Sequence, residues 1–205
     1  MPLTVRSGVQ ETMQDQLNKL GDLEASLDVV WQTLMQGAAS RHSAARLATL
    51  STVVGGKPAA RTIVLRGAEQ KTPSVVFYTD IRSQKIKELK ENPAAALTYY
   101  SVPQKFQVRL SGQAKIHHAD QLTDKAWSGL KEEEQPDYAG SHAPGEETGR
   151  PIQELGGNAS ENFAVVRVII SELEWLQLGQ KGFHRRAAFR WDAPGALSYK
   201  EWIAP

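Results

Sequence analysis

From Arg46 onward the sequence divides into short β-prone runs that are separated by turn residues. The first two runs, Leu47 to Val54 and Ala59 to Arg66, flank the dipeptide Gly55-Gly56. Two glycines at this place predict a tight hairpin, because glycine adopts the positive φ values of a two-residue turn without steric cost. This region therefore favours neighbouring antiparallel strands.

Further β-prone runs repeat the pattern along the rest of the chain. They are Val75 to Thr79, Ala94 to Tyr100, Phe106 to Ile116, Phe163 to Leu178, Ala187 to Trp191 and, at the end, Tyr199 to Ile203. From these eight runs we expect about seven strands, most of them joined by short turns. This arrangement predicts a mainly β fold, an antiparallel β-barrel with added helices, and argues against alternating βαβ units.

Helical periodicity is strongest within the first forty residues. Apolar residues recur at helical spacing in two series, which are Met13, Leu17 and Leu20 before Gly21, and Leu27, Val30, Trp31 and Leu34 before Gly37. A glycine just past an apolar series commonly ends a helix, because it accepts the left-handed conformation. We therefore predict two helices here, in a segment 1–45 that packs on a barrel domain of residues 46–205.

Two shorter helices and one long loop complete the expected organisation. One helix runs from about Ser83 to Glu91, where Asn92-Pro93 stops it, and the other from Leu122 to Lys131. The segment Glu132 to Asn158 is polar and rich in Pro, Gly and Glu, which predicts a loop. Loops of this length in a compact domain are usually functional or disordered. We expect its three leading glutamates on a solvated face.

Charge and composition exclude several classes of function. The 24 basic and 23 acidic side chains leave a net charge of +1, which gives no electrostatic signature for nucleic acid or an anionic membrane. The absence of cysteine excludes disulfides, a thiol nucleophile and cysteine metal sites. No apolar run approaches the roughly 20 residues that span a bilayer. We expect a cytoplasmic protein with no nucleic-acid or membrane partner.

The segment Asp80 to Lys85 has the features of an anion site. A predicted strand ends there, and Ser83 is placed to cap a helix whose free N–H groups and dipole favour a phosphate. Arg82 and Lys85 add cations at a helix end where positive charge is otherwise unfavourable. A bound anion would offset these cations. From the residues alone, the alternative is a solvated helix start with exposed lysines.

Seven short motifs occur in order along the chain. They are Arg61-Thr-Ile-Val-Leu-Arg66, Phe77-Tyr-Thr-Asp80, Ser83-Gln-Lys85, Asn92-Pro93, Phe106-Gln-Val-Arg-Leu-Ser-Gly112, His184-Arg-Arg186 and Ile203-Ala-Pro205. Their order and spacing resemble the pyridoxamine 5'-phosphate oxidase family of FMN-binding split-barrel proteins, from about residue 47 to 205. The stretches Trp31 to Gly37, Leu47 to Leu50 and Thr79 to Lys85 are similar to a subfamily of FMN-binding oxidase-related proteins.

The resemblance implies an FMN-binding split barrel that works as a homodimer, with the flavin at the subunit interface. It assigns the FMN phosphate to Arg61, Ser83 and Lys85, with Arg82 in place of the family cation that is missing at Gln84. The groups that it places along the ribityl chain and the ring are Val64, Leu65, Arg66, Tyr78 and Thr79.

Gln107 and Arg186 complete the set of cofactor residues that the resemblance implies. Gln107 would hydrogen-bond the flavin ring, and Arg186 would approach the ring from the partner subunit. Strand alternation from Phe106 places Gln107, Arg109 and Ser111 on one face. Alternation alone is equally compatible with a plain solvent face, so only the resemblance assigns Gln107 to the flavin.

The chain departs from the family pattern where the substrate is expected. Arg66 stands where the family has a lysine, no arginine lies near Leu130, and Gly182 stands where a second arginine is expected. We therefore expect pyridoxamine phosphate to be a poor substrate. His184 is the histidine placed to protonate or orient a substrate, and Arg66 could hold an anionic one.

The expected function is that of an FMN-dependent oxidoreductase acting on an unidentified small molecule. The alternatives are a non-catalytic flavin carrier or sensor, a true pyridoxamine or pyridoxine phosphate oxidase, and a split barrel that holds haem or a deazaflavin instead of FMN. No metal site is expected. Adjacent His117 and His118 at a strand end point to opposite faces, which suits a shared metal ion poorly.

Overall fold

The computed structural model describes residues 19–151, 155–179 and 182–205. Its strands are β1 (Leu47–Val54), β2 (Lys57–Glu69), β3 (Ser74–Asp80), β4 (Ala94–Ser101), β5 (Phe106–His117), β6 (Phe163–Gln177), β7 (Arg185–Ala193) and β8 (Ala196–Trp202). Its helices are α1 (Leu23–Ala39), α2 (Gln84–Glu91), α3 (Gln121–Ser128) and α4 (Ala159–Asn162), with 3₁₀ turns at Ala44–Arg46 and Glu132–Tyr138. The predicted first helix, around Met13 and Leu17, lies outside the described residues.

All strand pairs are antiparallel, in the order β3-β2-β1-β4-β5-β6-β7-β8. A further pairing of β3 with β6 closes the first six of these strands into a barrel, from which β7 and β8 extend. The predicted antiparallel barrel with added helices is therefore confirmed. The described residues form eight strands, where the sequence predicted about seven.

Strand β6 joins the closed barrel to its two-strand extension. Its residues up to Ile169 pair with β3, and those from Glu172 onward pair with β7, while β5 follows it along most of its length. Ser171 is an extra residue where the two halves meet, because Ser111 pairs with Glu172 and Gly112 with Ile170. Such a bulge bends the strand and lets one chain segment serve two sheets.

Tight turns and close contacts require glycine at specific positions. Gly55 and Gly56 have φ values of 54° and 76°, so the predicted hairpin turn is confirmed. Gly37 was expected to end the second predicted helix, but this helix, α1, continues to Ala39. A Cβ at position 37 would lie 2.5 Å from the carbonyl oxygen of Ala45, so glycine serves close packing there instead.

Helix α1 shares one hydrophobic core with the barrel. Its N-cap residue is Asp22, whose side chain accepts a hydrogen bond of 2.8 Å from the Ala25 backbone N–H. Trp31 is fully buried and packs edge-on against Trp191 of β7, with ring centroids 6.5 Å apart. The boundary at residues 45 and 46 stays a prediction.

A second, smaller core lies beneath α3 and the 3₁₀ turn Glu132–Tyr138. Tyr138 and Trp127 pack around Phe163 of β6, with centroid distances of 5.0 and 5.2 Å. The Asn162 side chain donates a hydrogen bond of 2.9 Å to the Tyr138 carbonyl oxygen. The predicted loop from residue 132 therefore begins with an ordered turn whose tyrosine anchors it to the barrel.

Replacing Gly112 by alanine should destabilise the barrel. The added Cβ would lie 1.9 Å from the carbonyl oxygen of Ile169, and that oxygen belongs to a paired strand that cannot move freely. We expect a loss of about 3 kcal/mol in the free energy of unfolding, measured by urea titration. Gly67→Ala is the matched control, since its Cβ would meet only Val76 at 3.4 Å. Equal urea midpoints for the two variants would contradict this account.

Candidate functional site

The N-terminus of α2 is open toward a polar cluster. Strand β3 ends at Asp80, and Ser83 occupies the N-cap position as the sequence predicts. The Ser83 hydroxyl makes no capping hydrogen bond to the helix and lies 3.3 Å from the Thr79 hydroxyl instead. The first turn also carries no acidic residue. The N–H groups and positive dipole end of the helix are thus not neutralised by its own side chains.

Two cations meet at this helix end. Lys85 lies in the first turn of α2 and donates a hydrogen bond of 3.0 Å to the Thr79 hydroxyl, and Arg61 reaches the same region from β2. Burial and the positive charge of Arg61 lower the pKa of Lys85. Cations that repel each other beside an open helix N-terminus form a donor set that suits a phosphate.

A buried carboxylate holds Arg61 in place. Glu88 of α2 is 3% exposed and accepts hydrogen bonds of 2.5 Å from Arg61 Nη2 and from the Thr52 hydroxyl. Burial alone would raise the pKa of Glu88, but the hydrogen bonds from Thr52 and Arg61 and the arginine charge outweigh it and lower that pKa. Glu88 was not identified from the sequence; in the structure it is buried with Ile86 and Leu89 on the packed side of α2.

Arg61, Ser83 and Lys85 at the N-terminus of α2 form what we call the phosphate cluster. Arg82 and Gln84 do not share its contacts. Arg82 bonds Asp80 through Nη2 at 2.6 Å and donates to the carbonyl oxygen of Gly140 at 2.9 Å. It therefore ties the turn after β3 to the segment around Gly140. Gln84 is exposed at the first helical position. The roles of both residues in cofactor binding stay predictions.

A bulge in β2 directs Arg66. Leu65 pairs with Phe77 and Gly67 with Val76, so Arg66 is the extra residue between two register positions. Bulges commonly re-aim a side chain beside a functional site. Val64 is half-buried and the Leu65 side chain is fully buried, which leaves their backbone as the part that a ligand could contact.

The Arg66 guanidinium is paired within the protein. It lies over the Tyr78 ring, 5.4 Å from the centroid, and donates a hydrogen bond of 2.9 Å to Glu134. Glu134 was expected on a solvated face, but its side chain is 16% exposed and also lies 3.5 Å from Arg41 and 3.9 Å from Arg46. Burial would raise its pKa, but the hydrogen bond and charge of Arg66 outweigh burial and lower it.

Gln107 and Arg186 share a row on the outer face of the sheet. Gln107 pairs with Tyr100 on one side and with Leu176 on the other, and Leu176 pairs with Arg186. Directly paired residues point to the same face. Arg186 is fixed there by Glu174, at 2.6 Å. The structure therefore brings these two predicted flavin residues onto one face of one protomer.

His184 lies apart from the polar cluster, on the exposed segment before β7. Its backbone N–H bonds the Gly182 carbonyl at 3.0 Å, and within the described residues its ring has no hydrogen-bond partner.

His117 bonds Asp120 at 2.8 Å. Within the described ranges, no group of three or more His, Cys, Asp or Glu is placed to share a metal ion. No described helix is long and apolar enough to cross a membrane.

Residues 28–118 match the sequence model of the family described as "Pyridoxamine 5'-phosphate oxidase, FMN-binding domain". This range contains the whole cluster at α2 as well as Gln107. These residues are therefore similar to the FMN-binding domain of the pyridoxamine 5'-phosphate oxidase family. The predicted resemblance to this family and the predicted cofactor, FMN, are thereby confirmed.

Curated relatives carry the name of the oxidase. The chain is 29% identical over 167 residues to pyridoxine/pyridoxamine 5'-phosphate oxidase of Burkholderia mallei, which is 74% of this chain and 75% of the relative. It is 33% identical over 110 residues to pyridoxine/pyridoxamine 5'-phosphate oxidase 2 of Arabidopsis thaliana. That match covers 47% of this chain and spans about half, 54%, of the Arabidopsis protein.

Solved structures show the same fold. A pyridoxamine 5'-phosphate oxidase-related, FMN-binding protein from Nostoc punctiforme has a TM-score of 0.70 at 22% identity, covering 87% of this chain and 96% of its own. PhzG from Burkholderia lata has a TM-score of 0.69 at 20% identity, covering 97% and 100%. At such identities the likeness concerns the split barrel alone.

Lys85 should distinguish FMN from riboflavin. Lys85→Met removes a cation from the phosphate cluster, and a charge-assisted hydrogen bond of this kind is worth about 1.5–3 kcal/mol. We expect FMN to bind about ten- to a hundred-fold more weakly while riboflavin binding stays unchanged, both measured by flavin fluorescence quenching. Lys87→Met, an exposed lysine on the same helix, should leave both unchanged. An equal loss for the two flavins would contradict the assignment.

Proposed function

We propose that the protein is an FMN-dependent oxidoreductase that works as a homodimer on a small-molecule substrate. The observation that carries the proposal is the cluster of Arg61, Ser83 and Lys85 at the open N-terminus of α2. When bound, FMN supplies the redox chemistry at its isoalloxazine ring, while the protein supplies binding, orientation and electrostatics. A cytoplasmic location stays a prediction.

The chain offers a separate group of residues for each part of FMN. Arg61 and Lys85 would bind the phosphate together with the free N–H groups of α2, and Glu88 would keep Arg61 aligned for it. The backbone of residues 64 and 65, with Tyr78 and Thr79, would follow the ribityl chain. Gln107 would hydrogen-bond the ring system on the outer face of the sheet.

The outer face of the sheet supports the proposed dimer. Leu47 of β1 and Tyr100 of β4 are 54% and 45% exposed, although both are large and apolar. They share this face with Gln107 and Arg186, where a flavin ring would remain open to water in a single protomer. A twofold partner that presents the same patch would cover the ring and both side chains.

Tyr100→Glu tests this interface. A charge on the proposed contact face should convert the dimer to a monomer and weaken FMN binding, because each flavin would lose its cover. Light scattering coupled to size-exclusion chromatography gives the mass, and flavin absorbance gives the occupancy. Met35→Glu, on an exposed position of α1, is the matched control and should stay dimeric. A wild-type monomer that retains FMN would refute the proposed assembly.

The residues where the family's substrate phosphate is expected support a substrate other than pyridoxamine phosphate. Arg66, the cation available for a phosphate group, already pairs with Glu134. Leu130 is buried in the second core and supplies no positive charge. A second phosphate on the substrate side would therefore meet a carboxylate and lack a free arginine. We propose that phosphorylated vitamers are turned over at least about 100-fold less efficiently than by a true oxidase of the family.

Glu134→Gln should raise catalytic efficiency toward pyridoxamine phosphate. The amide keeps the size of the side chain but removes the charge, so Arg66 becomes free to bind a phosphate. We expect kcat/KM, followed by oxygen consumption, to rise about ten-fold or more. Glu133→Gln is the matched control, since that side chain is 64% exposed and does not contact Arg66.

Arginine at position 182 is a poor alternative test, because Gly182 has φ +80° and arginine there would be strained. Efficient turnover by the unmodified protein would identify it as a true oxidase instead.

A non-catalytic flavin carrier or sensor is the second candidate function. It is favoured by His184, whose exposed ring has no hydrogen-bond partner among the described residues to orient it for proton transfer. Anaerobic mixing with candidate reductants separates the two functions, because only the oxidoreductase would bleach its bound flavin at a rate that saturates with substrate concentration.

A further inference from the structure

Glu174 of β6 joins two arginines from the neighbouring strands on the outer face of the sheet. Arg109 of β5 donates a hydrogen bond of 3.1 Å from Nη1 to its Oε2 atom, and Arg186 of β7 donates one of 2.6 Å from Nη2 to the same atom. Charge-assisted hydrogen bonds of this kind are stronger than neutral ones. The three side chains therefore form one cluster, in which a single carboxylate holds two guanidinium groups.

A second ion pair on the same face shows how Glu174 differs from an ordinary surface residue. Glu172 lies two residues earlier on β6 and accepts a hydrogen bond of 3.1 Å from Arg190, its direct cross-strand neighbour. These two side chains are 35% and 52% exposed, and ion pairs in water contribute little to stability. The Glu174 side chain is 18% exposed and has two partners. Glu174 thus orders its arginines in a less solvated place.

The strand register lets Arg186 reach Glu174 across a diagonal of the sheet. Arg186 is directly paired with Leu176, and Glu174 is directly paired with Ala188. Diagonal neighbours lie within reach of a long side chain, and Ala188 has no side-chain atom beyond Cβ that would block the path. A second contact of the guanidinium, at 3.5 Å, is with the carbonyl oxygen of Ala204. Arg186 is therefore held along the face before any ligand binds.

The position of Arg186 bears on the flavin ring, because Gln107 lies in the same cross-strand row of this face. A positive charge that is fixed beside the ring stabilises negative charge on it, and reduction of a flavin adds such charge. A guanidinium that is already ordered also loses less side-chain entropy when the ring binds. Both effects depend on the carboxylate that holds the arginine.

We propose that Glu174 is a positioning residue for the flavin, which acts through Arg186 by holding its guanidinium beside the ring and so favours the reduced cofactor. The inference rests on the proposed function and deepens it, since it assigns part of the reduction potential to a side chain that does not itself contact the ring. Acting through its own charge alone, Glu174 would have the opposite effect, because a negative charge near the ring disfavours reduction. The sign of the change therefore separates the two explanations.

The midpoint potential of the FMN-loaded protein tests the proposal. Glu174→Gln should release Arg186 and weaken the binding of reduced relative to oxidised FMN about ten-fold, which lowers the potential by about 30 mV for a two-electron couple. Glu174→Asp keeps the charge but shortens the side chain, and it should lower the potential as well. Glu172→Gln, on the same strand and face, is the matched control and should leave the potential unchanged.

Arg186→Met identifies the route of the effect. It should lower the potential by itself, and Glu174→Gln added to it should cause no further fall, because the two residues act as one unit. A potential that is raised or unchanged in Glu174→Gln, or two falls that add in the double variant, would overturn the proposal. An unchanged potential in Arg186→Met would show that Arg186 does not face the flavin, and would overturn both that placement and this inference.

Flavin affinity gives a second readout, which does not depend on turnover. Because Glu174 acts on the ring, Glu174→Gln should weaken FMN and riboflavin by the same factor, whereas Lys85→Met should weaken FMN alone. Urea midpoints that match those of Glu172→Gln would show that the fold is retained. A loss confined to FMN would place the effect of Glu174 at the phosphate and contradict the proposal.

Discussion

The pairing of β3 with β6 is the constraint on which the rest of the molecule depends. It closes the barrel, and its register ends with Asp80 opposite Phe163, immediately before the chain turns into α2. The Ile81 N–H then bonds the Asn162 carbonyl oxygen at 2.8 Å, which fixes the start of that turn. The position of the phosphate cluster therefore follows from backbone hydrogen bonds between strands that lie about 80 residues apart in sequence.

The buried carboxylate of Glu88 positions Arg61, one of the two cations at the N-terminus of α2. A buried glutamate or arginine without a partner would destabilise the fold, because each charge loses its hydration on burial. Glu88, Arg61 and Thr52 satisfy one another through short hydrogen bonds, so the arginine is already ordered before any ligand arrives. Ordering a long side chain in advance reduces the entropy that binding must remove. The same helix thus provides both the open N-terminus and the residue that positions Arg61.

Local signals in the sequence were enough for most of the fold and for part of the site. The glycine hairpin at residue 55, the strand runs and the turn at Ser83 depend on neighbours in the chain, and each was found from the sequence. The contacts of Glu88 with Arg61 and of Glu134 with Arg66 join residues 27 and 68 positions apart. No local pattern of apolar and polar residues in the sequence predicts such contacts. Gly37 was misread for the same reason, since the contact that requires glycine is made by Ala45, beyond the end of the helix.

Helix α1 is joined to the strands through a shared hydrophobic core, an aromatic contact and one hydrogen bond. The indole N–H of the buried Trp175 donates a hydrogen bond of 3.1 Å to the Ser26 hydroxyl of this helix. If the helix detached, that indole would lose its partner and Trp191 would lose the ring of Trp31 that covers it. Helix and barrel should consequently melt together in a single cooperative transition, and the strands after residue 46 should not persist as an independent folding unit.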